Sequence, residues 1–269
     1  RERPVRPLVV RLFDAVRAAY PDSREPLRRA IADIVHRERK YWKEMSDEDL
    51  AEIDALHVRF EGASVGARLR QDVGQLHSDR VDLPDLRPLA RELLGSSAVL
   101  VQEWPWLTSG DAAEGWSLGE ALAAEDSEKT LADTVSSLPD TGRDLRVLCG
   151  YIWASRRQLG DDWYDQWVET QLQQKPKPVG LLFEVASRCG ATSSVARRIA
   201  EVLGSESVGA EIVGQLGFGR WGEELSPEDL EEVLRAMVAA GHSATALAIL
   251  ERRIKSKPPE RERWHPLAF

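Results

Sequence analysis

Asparagine does not occur in this chain of 269 residues, and cysteine and methionine occur only twice each. Cys149 and Cys189 stand in apolar helical runs with no CxxC partner and no neighbouring histidine. A disulfide framework and a thiolate metal site are therefore disfavoured, and the pair reads as buried free thiols of a reducing cytoplasm. The five histidines, His36, His57, His77, His242 and His265, are dispersed without HExxH or two-histidine-plus-carboxylate spacing, so no metal is expected. Ser64-Val65-Gly66 reads as a small-residue turn and not as a serine nucleophile, no Walker-type phosphate loop occurs, and Gly217-Phe218-Gly219 is not taken as a dinucleotide fingerprint. No cofactor is expected. No run approaches the roughly 18 apolar residues of a membrane span, so the expected location is the cytoplasm and no membrane is among the expected partners.

What is present points to a helical protein. The absence of asparagine, with arginine far commoner than lysine, fits a GC-rich bacterial genome and carries no mechanism. The net charge of −9 argues against a general phosphate binder, because such affinity comes from Lys and Arg neutralising the nucleic-acid backbone. The charge is uneven: residues 1–45 are rich in arginine and 82–141 are acidic, which leaves a local basic face at the amino end as a reading. The chain begins with Arg1 and not Met, and is expected to be a piece of a longer protein.

Along the chain, apolar spacing predicts helices over 7–20, 24–44, 46–60 and 65–76, an N-terminal helical block over 1–80. A connector with short helices follows over 81–126. In it Leu86, Leu89 and Leu93 mark one helix, Ala98 to Val101 could be a strand but is better read as helix, and Trp104-Pro105-Trp106 breaks the pattern. From 127 to 269 the pattern turns regular. Helix starts at Ser127, near Asp161, near Thr192 and at Ser226 recur at intervals of about 33 residues, each interval holding two helices, as stacked repeats do. The last unit is the clearest. Ser226 caps, Pro227 takes the first position, Glu228 and Asp229 suit the helix dipole, Gly241 stops the helix and Ser243 caps its partner. An isolated hairpin has too little apolar surface to fold, so each must stack on the next. The expected fold is all-α, a HEAT/TPR-like α-solenoid behind an N-terminal helical block, with Trp264 and Phe269 closing its end.

Two groups of residues could bind a partner. The pairs Arg156-Arg157, Arg197-Arg198 and Arg252-Arg253 each lie on a repeat helix. They would line a groove for an acidic ligand if their faces aligned, though solvated faces and stems covering apolar surface are the simpler reading. Trp104, Trp106 and Trp116 cluster at the connector, and Trp163 with Trp167 stand one turn apart. They read either as an aromatic platform or, favoured by their helical spacing, as packing between repeats.

The run Trp106-Leu107-Thr108-Ser109-Gly110-Asp111-Ala112 with Leu118-Gly119 and Asp126, and the later Gly219-Arg220-Trp221 with Leu225-Ser226-Pro227-Glu228-Asp229, resemble the helical-repeat carboxy-terminal regions of large multidomain bacterial proteins. Those proteins commonly carry a STAND-type NTPase or another effector module upstream, and several belong to antiphage defence systems. The resemblance implies a non-enzymatic solenoid that senses or scaffolds, with a protein, or an upstream effector domain of the same polypeptide, as partner. It transfers no catalytic residue. Two other readings stand beside it: an enzyme of unknown class with a site near 104–116, and nucleic-acid binding through Arg28, Arg29, Arg37, Arg39 and Lys40.

Overall fold

Leu86, Leu89, Ala90 and Leu93 fall on one side of a helix and are all buried, and the same three-four spacing lays down each element that follows. A computed structural model describes residues 64–74, 85–132, 134, 144–175, 178–219, 221–257 and 264. The helices expected over 7–60, with the basic residues Arg28 to Lys40, lie outside the described residues. The chain forms two compact units, Arg1–Arg68 and Leu69–Phe269.

The described elements are α1 (Val65–Val73), α2 (Arg87–Gly95), α3 (Ser97–Leu107), α4 (Gly115–Glu125), α5 (Arg146–Leu159), α6 (Asp161–Leu172), α7 (Val179–Cys189), α8 (Ser193–Ser205), α9 (Ala210–Gly214), a 3-10 turn (Gln215–Gly217), α10 (Trp221–Glu224), α11 (Pro227–Ala239) and α12 (Ser243–Ser256). The fold is all-α, with no strand among the described residues, and the aliphatic run at Ala98 is helical.

Packing runs from neighbour to neighbour. α2 lies on α4, α4 on α5, α5 on α7, α7 on the 3-10 turn and that turn on α12, while α6 lies on α8 and α8 on α11. The hairpin pairs α5–α6, α7–α8 and α11–α12 also touch. The tightest crossing joins α4 to α5 through Gly119 and Gly150, where backbone meets backbone. The core is aliphatic and aromatic, with Leu93, Leu118, Ile152, Tyr164, Phe183, Trp221 and Trp264 buried.

Several helix ends follow the sequence. The Ser226 hydroxyl accepts from Asp229 N at 3.1 Å and Pro227 opens α11, while Thr192 Oγ1 accepts from Val195 N at 3.1 Å to start α8. α11 ends in a paired motif: Gly241 N donates to Val238 O (3.0 Å) and His242 N to Met237 O (2.8 Å), with Gly241 at φ 88° where a side chain would be strained.

Other ends differ. The cap expected at Ser127 is supplied by Asp126, whose carboxylate accepts from Thr130 N (3.2 Å) and Leu131 N (2.8 Å). Two oxygens satisfy two amides there, which one hydroxyl cannot. α12 starts at Ser243 itself, and its N-cap His242 makes no side-chain capping bond. The expected break at Trp104-Pro105-Trp106 is absent, since α3 continues through Pro105 to Leu107. The proline removes a bond to the carbonyl of Val101, a half-exposed residue, and Thr108 Oγ1 then closes the last turn on Trp104 O at 3.0 Å. The second helix of the interval that starts near Thr192 is cut to α9 and the 3-10 turn, in a stretch containing Gly204, Gly209, Gly214 and Gly217.

Candidate partner-recognition face

At the α4–α5 crossing the two glycines let the helices approach until their flanking side chains meet. Trp116 on α4 and Trp153 on α5 stand side by side, ring centroids 5.8 Å apart and planes inclined by 54°. One turn further along α5 the Arg157 guanidinium lies over the Trp153 ring, 4.7 Å from its centroid. Both rings are half-buried and Arg157 is exposed. The result is a short ladder of indole, indole and guanidinium, with the cation held by ring contact and not by a carboxylate among the described residues.

The three arginine pairs do not form a row. Arg156 turns inward, bonding Asp161 Oδ1 at 2.7 Å and Cys189 O at 2.6 Å while covering the Tyr164 ring at 4.9 Å. Arg198 bridges Glu169 (2.8 Å) and Glu201 (2.6 Å), which ties α8 to α6. Arg252 donates to Gly219 O (2.6 Å) and Gly217 O (2.5 Å), and Arg253, fully buried, to Gly222 O (2.7 Å) and Glu223 O (2.9 Å). Four of the six are ties between neighbouring elements. Arg157 and Arg197 are the exposed members, and only Arg157 has an aromatic floor.

The tryptophans also separate. Trp104 is buried beside the buried Glu103, and the Arg70 guanidinium sits 5.5 Å from the Trp106 ring while bonding Glu103 at 2.8 Å. Trp116 alone of the three joins the ladder. Its partner Trp153 was not singled out by sequence. The signal available was Trp153 one turn before Arg157, but the contact with Trp116 spans 37 positions and depends on the glycine crossing.

The same two helices also share a polar knot that sequence spacing did not reveal. Tyr151 OH donates to Asp126 Oδ2 at 2.7 Å, and the buried Lys129 ammonium donates to Ala123 O (2.5 Å), Asp126 O (2.6 Å) and Gln158 Oε1 (2.7 Å). Burial pushes the Tyr151 hydroxyl well above the ordinary tyrosine range, with the bond to Asp126 adding to it, and burial pushes the Lys129 ammonium down. Every Lys129 proton has an acceptor, so this is a joint between α4 and α5 and not a reactive amine.

Two glycine spacings match site motifs without the structural context those motifs need. Gly62-Ala63-Ser64-Val65-Gly66 does carry the Gly-x-Ser-x-Gly spacing. Ser64 stands just before α1, and its Oγ accepts from Ala67 N at 3.2 Å, the position of a helix cap. Gly217, Gly219 and Gly222 likewise complete a Gly-x-Gly-x-x-Gly spacing. A 3-10 turn precedes it and a four-residue helix follows, in place of a strand and a long helix, and its carbonyls, not its amides, face Arg252 and Arg253. Gly219 is required by packing, since a Cβ there would lie 2.9 Å from the Ser187 carbonyl carbon.

Among the described residues no group of acidic, histidine or cysteine side chains could hold a metal, and no helix is long and apolar enough to cross a membrane. A cavity of about 10 Å³ lined by Leu216, Trp221, Ile249, Arg252 and Arg253 has room for no more than one water. No family model, curated protein or solved structure matches the chain.

Proposed function

We propose that the helical unit is a stacked-hairpin α-solenoid that recognises a protein partner, and that the Trp116–Trp153–Arg157 ladder is part of the face it presents. The observation that carries this reading is the ladder itself. Two half-buried indoles and an exposed guanidinium with no carboxylate partner among the described residues are the residue types that supply most of the energy at protein interfaces. The neighbour-to-neighbour packing supports the solenoid, because successive hairpins that bury one another's apolar faces extend as a row. The resemblance to repeat regions of multidomain bacterial defence proteins suggests a sensor or scaffold role for such a row.

The test compares two charge reversals of exposed arginines. The chain, Arg157→Glu and Arg197→Glu are immobilised and exposed to extract from the cells that make the protein. A partner retained by the chain and by Arg197→Glu, and lost from Arg157→Glu, is the expected result. Retention of nothing, or equal loss from both variants, would remove the reading.

A further inference from the structure

The chain has two cysteines, 40 positions apart, and they meet. Cys149 lies in the middle of α5 and Cys189 ends α7, two helices that pack on each other. Cys189 Sγ donates to Cys149 O at 3.2 Å, and both residues are buried. The Cys189 thiol thus sits against the backbone of Cys149. The neighbouring Cys189, with burial second, holds the Cys149 thiol well above the ordinary thiol range.

We infer that Cys149 and Cys189 form a redox modification site, at which a small-molecule disulfide of the oxidised-glutathione class converts the two thiols into an intramolecular disulfide that fastens α5 to α7. The exchange balances. The first cysteine to be exposed loses its proton and attacks one sulfur of the oxidant, breaking that S–S bond, releasing one reduced glutathione and leaving a mixed disulfide. The second cysteine, as its thiolate, attacks the protein sulfur of that mixed disulfide and releases the second glutathione. One S–S bond is made, one is broken, and the two thiol protons end on the two glutathione molecules. Burial keeps oxidant from both cysteines while the helices are closed, so exchange runs through local opening of the α5–α7 contact. Closure then brings Cys189 back against Cys149, with the Cys189 sulfur giving up its bond to Cys149 O to reach the other sulfur. Trp153 lies one turn beyond Cys149, so the cross-link fixes the helix that carries the aromatic ladder. The inference itself rests only on the cysteine geometry and not on partner recognition.

The test is a redox equilibrium on the whole chain. Reduced protein and pre-oxidised protein are each brought to equilibrium in glutathione buffers of graded ratio, in native buffer and in concentrated urea, quenched, alkylated and weighed intact. The native fold is expected to favour the intramolecular disulfide, read as a mass loss of two hydrogens with no alkylation, by about tenfold or more over the urea-unfolded chain. The oxidised protein should also melt at a higher temperature. Cys149→Ala and Cys189→Ala should each give only a mixed disulfide with glutathione. A native equilibrium constant equal to or below that in urea, accumulation of glutathione adducts in place of the internal bond, or two thiols still alkylated at equilibrium would overturn the inference.

Discussion

Gly119 and Gly150 face each other's helices across the α4–α5 crossing with no room for a side chain on either. A Cβ on Gly119 would lie 2.6 Å from Tyr151 N and closer still to Val147 O, and one on Gly150 would lie 3.0 Å from the Trp116 carbonyl carbon. The obstructing atoms are backbone and cannot swing aside. Gly119→Ala or Gly150→Ala should therefore force the helices apart and cost about 1–3 kcal/mol, measured by urea unfolding. Gly180, whose Cβ would meet nothing within 4 Å, is the control, and Gly180→Ala should not destabilise.

Arg156 and Arg197 separate structural from surface arginines. The Arg156 side chain is 16% exposed and is bonded to a carboxylate and a buried helix end, whereas Arg197 is exposed and outside the ion pairs of the described residues. Arg156→Met should cost about 1.5–3 kcal/mol, because it removes charged hydrogen bonds and leaves Cys189 O short of a donor. Arg197→Met should stay within about 0.5 kcal/mol. Equal losses in chemical denaturation would contradict these assignments.

Burial raises the folded-state pKa of Tyr151 and of Tyr164 above the unfolded value near 10. The folded state thus binds a proton more tightly than the unfolded chain. Stability contributed by both hydroxyls is fully present below pH about 10 and is lost as pH rises further, because the unfolded chain ionises first. Spectroscopic titration should show two of the four tyrosines ionising only as helical signal is lost. Tyr151→Phe should weaken the alkaline loss of stability.

Trp264 is fully buried. Trp264 and Phe269 are expected to close the end of the stack; Phe269 lies outside the described residues. Trp264→Ala should cost about 3–5 kcal/mol and lower Tm correspondingly. An unchanged Tm would end the capping role.

The all-α class was legible because leucine spacing and caps such as Ser226 and Thr192 act over a few residues, within the reach of local sequence. What was not legible depends on partners far along the chain. Nothing near Asp126 announces that its carboxylate serves two amides and Tyr151 at once, and Ser127 looked the better cap. Pro105 was read as a break because the exposed side of α3, where its missing bond does no harm, is a tertiary fact. The arginine pairs look alike as dipeptides, yet Arg253 is buried against carbonyls and Arg157 rests on an indole. The ladder needed Gly119 and Gly150, two small residues whose significance appears only when the helices cross.

Recognition through the ladder is tested most directly by placing a photo-crosslinking aromatic residue at Trp116, with the same residue at exposed Thr170 on α6 as control, and irradiating the cells that make the protein. A discrete protein adduct from position 116, absent from position 170 and lost when Arg157→Glu is added, is the predicted result. No adduct from 116, or the same adducts from both positions, would contradict it.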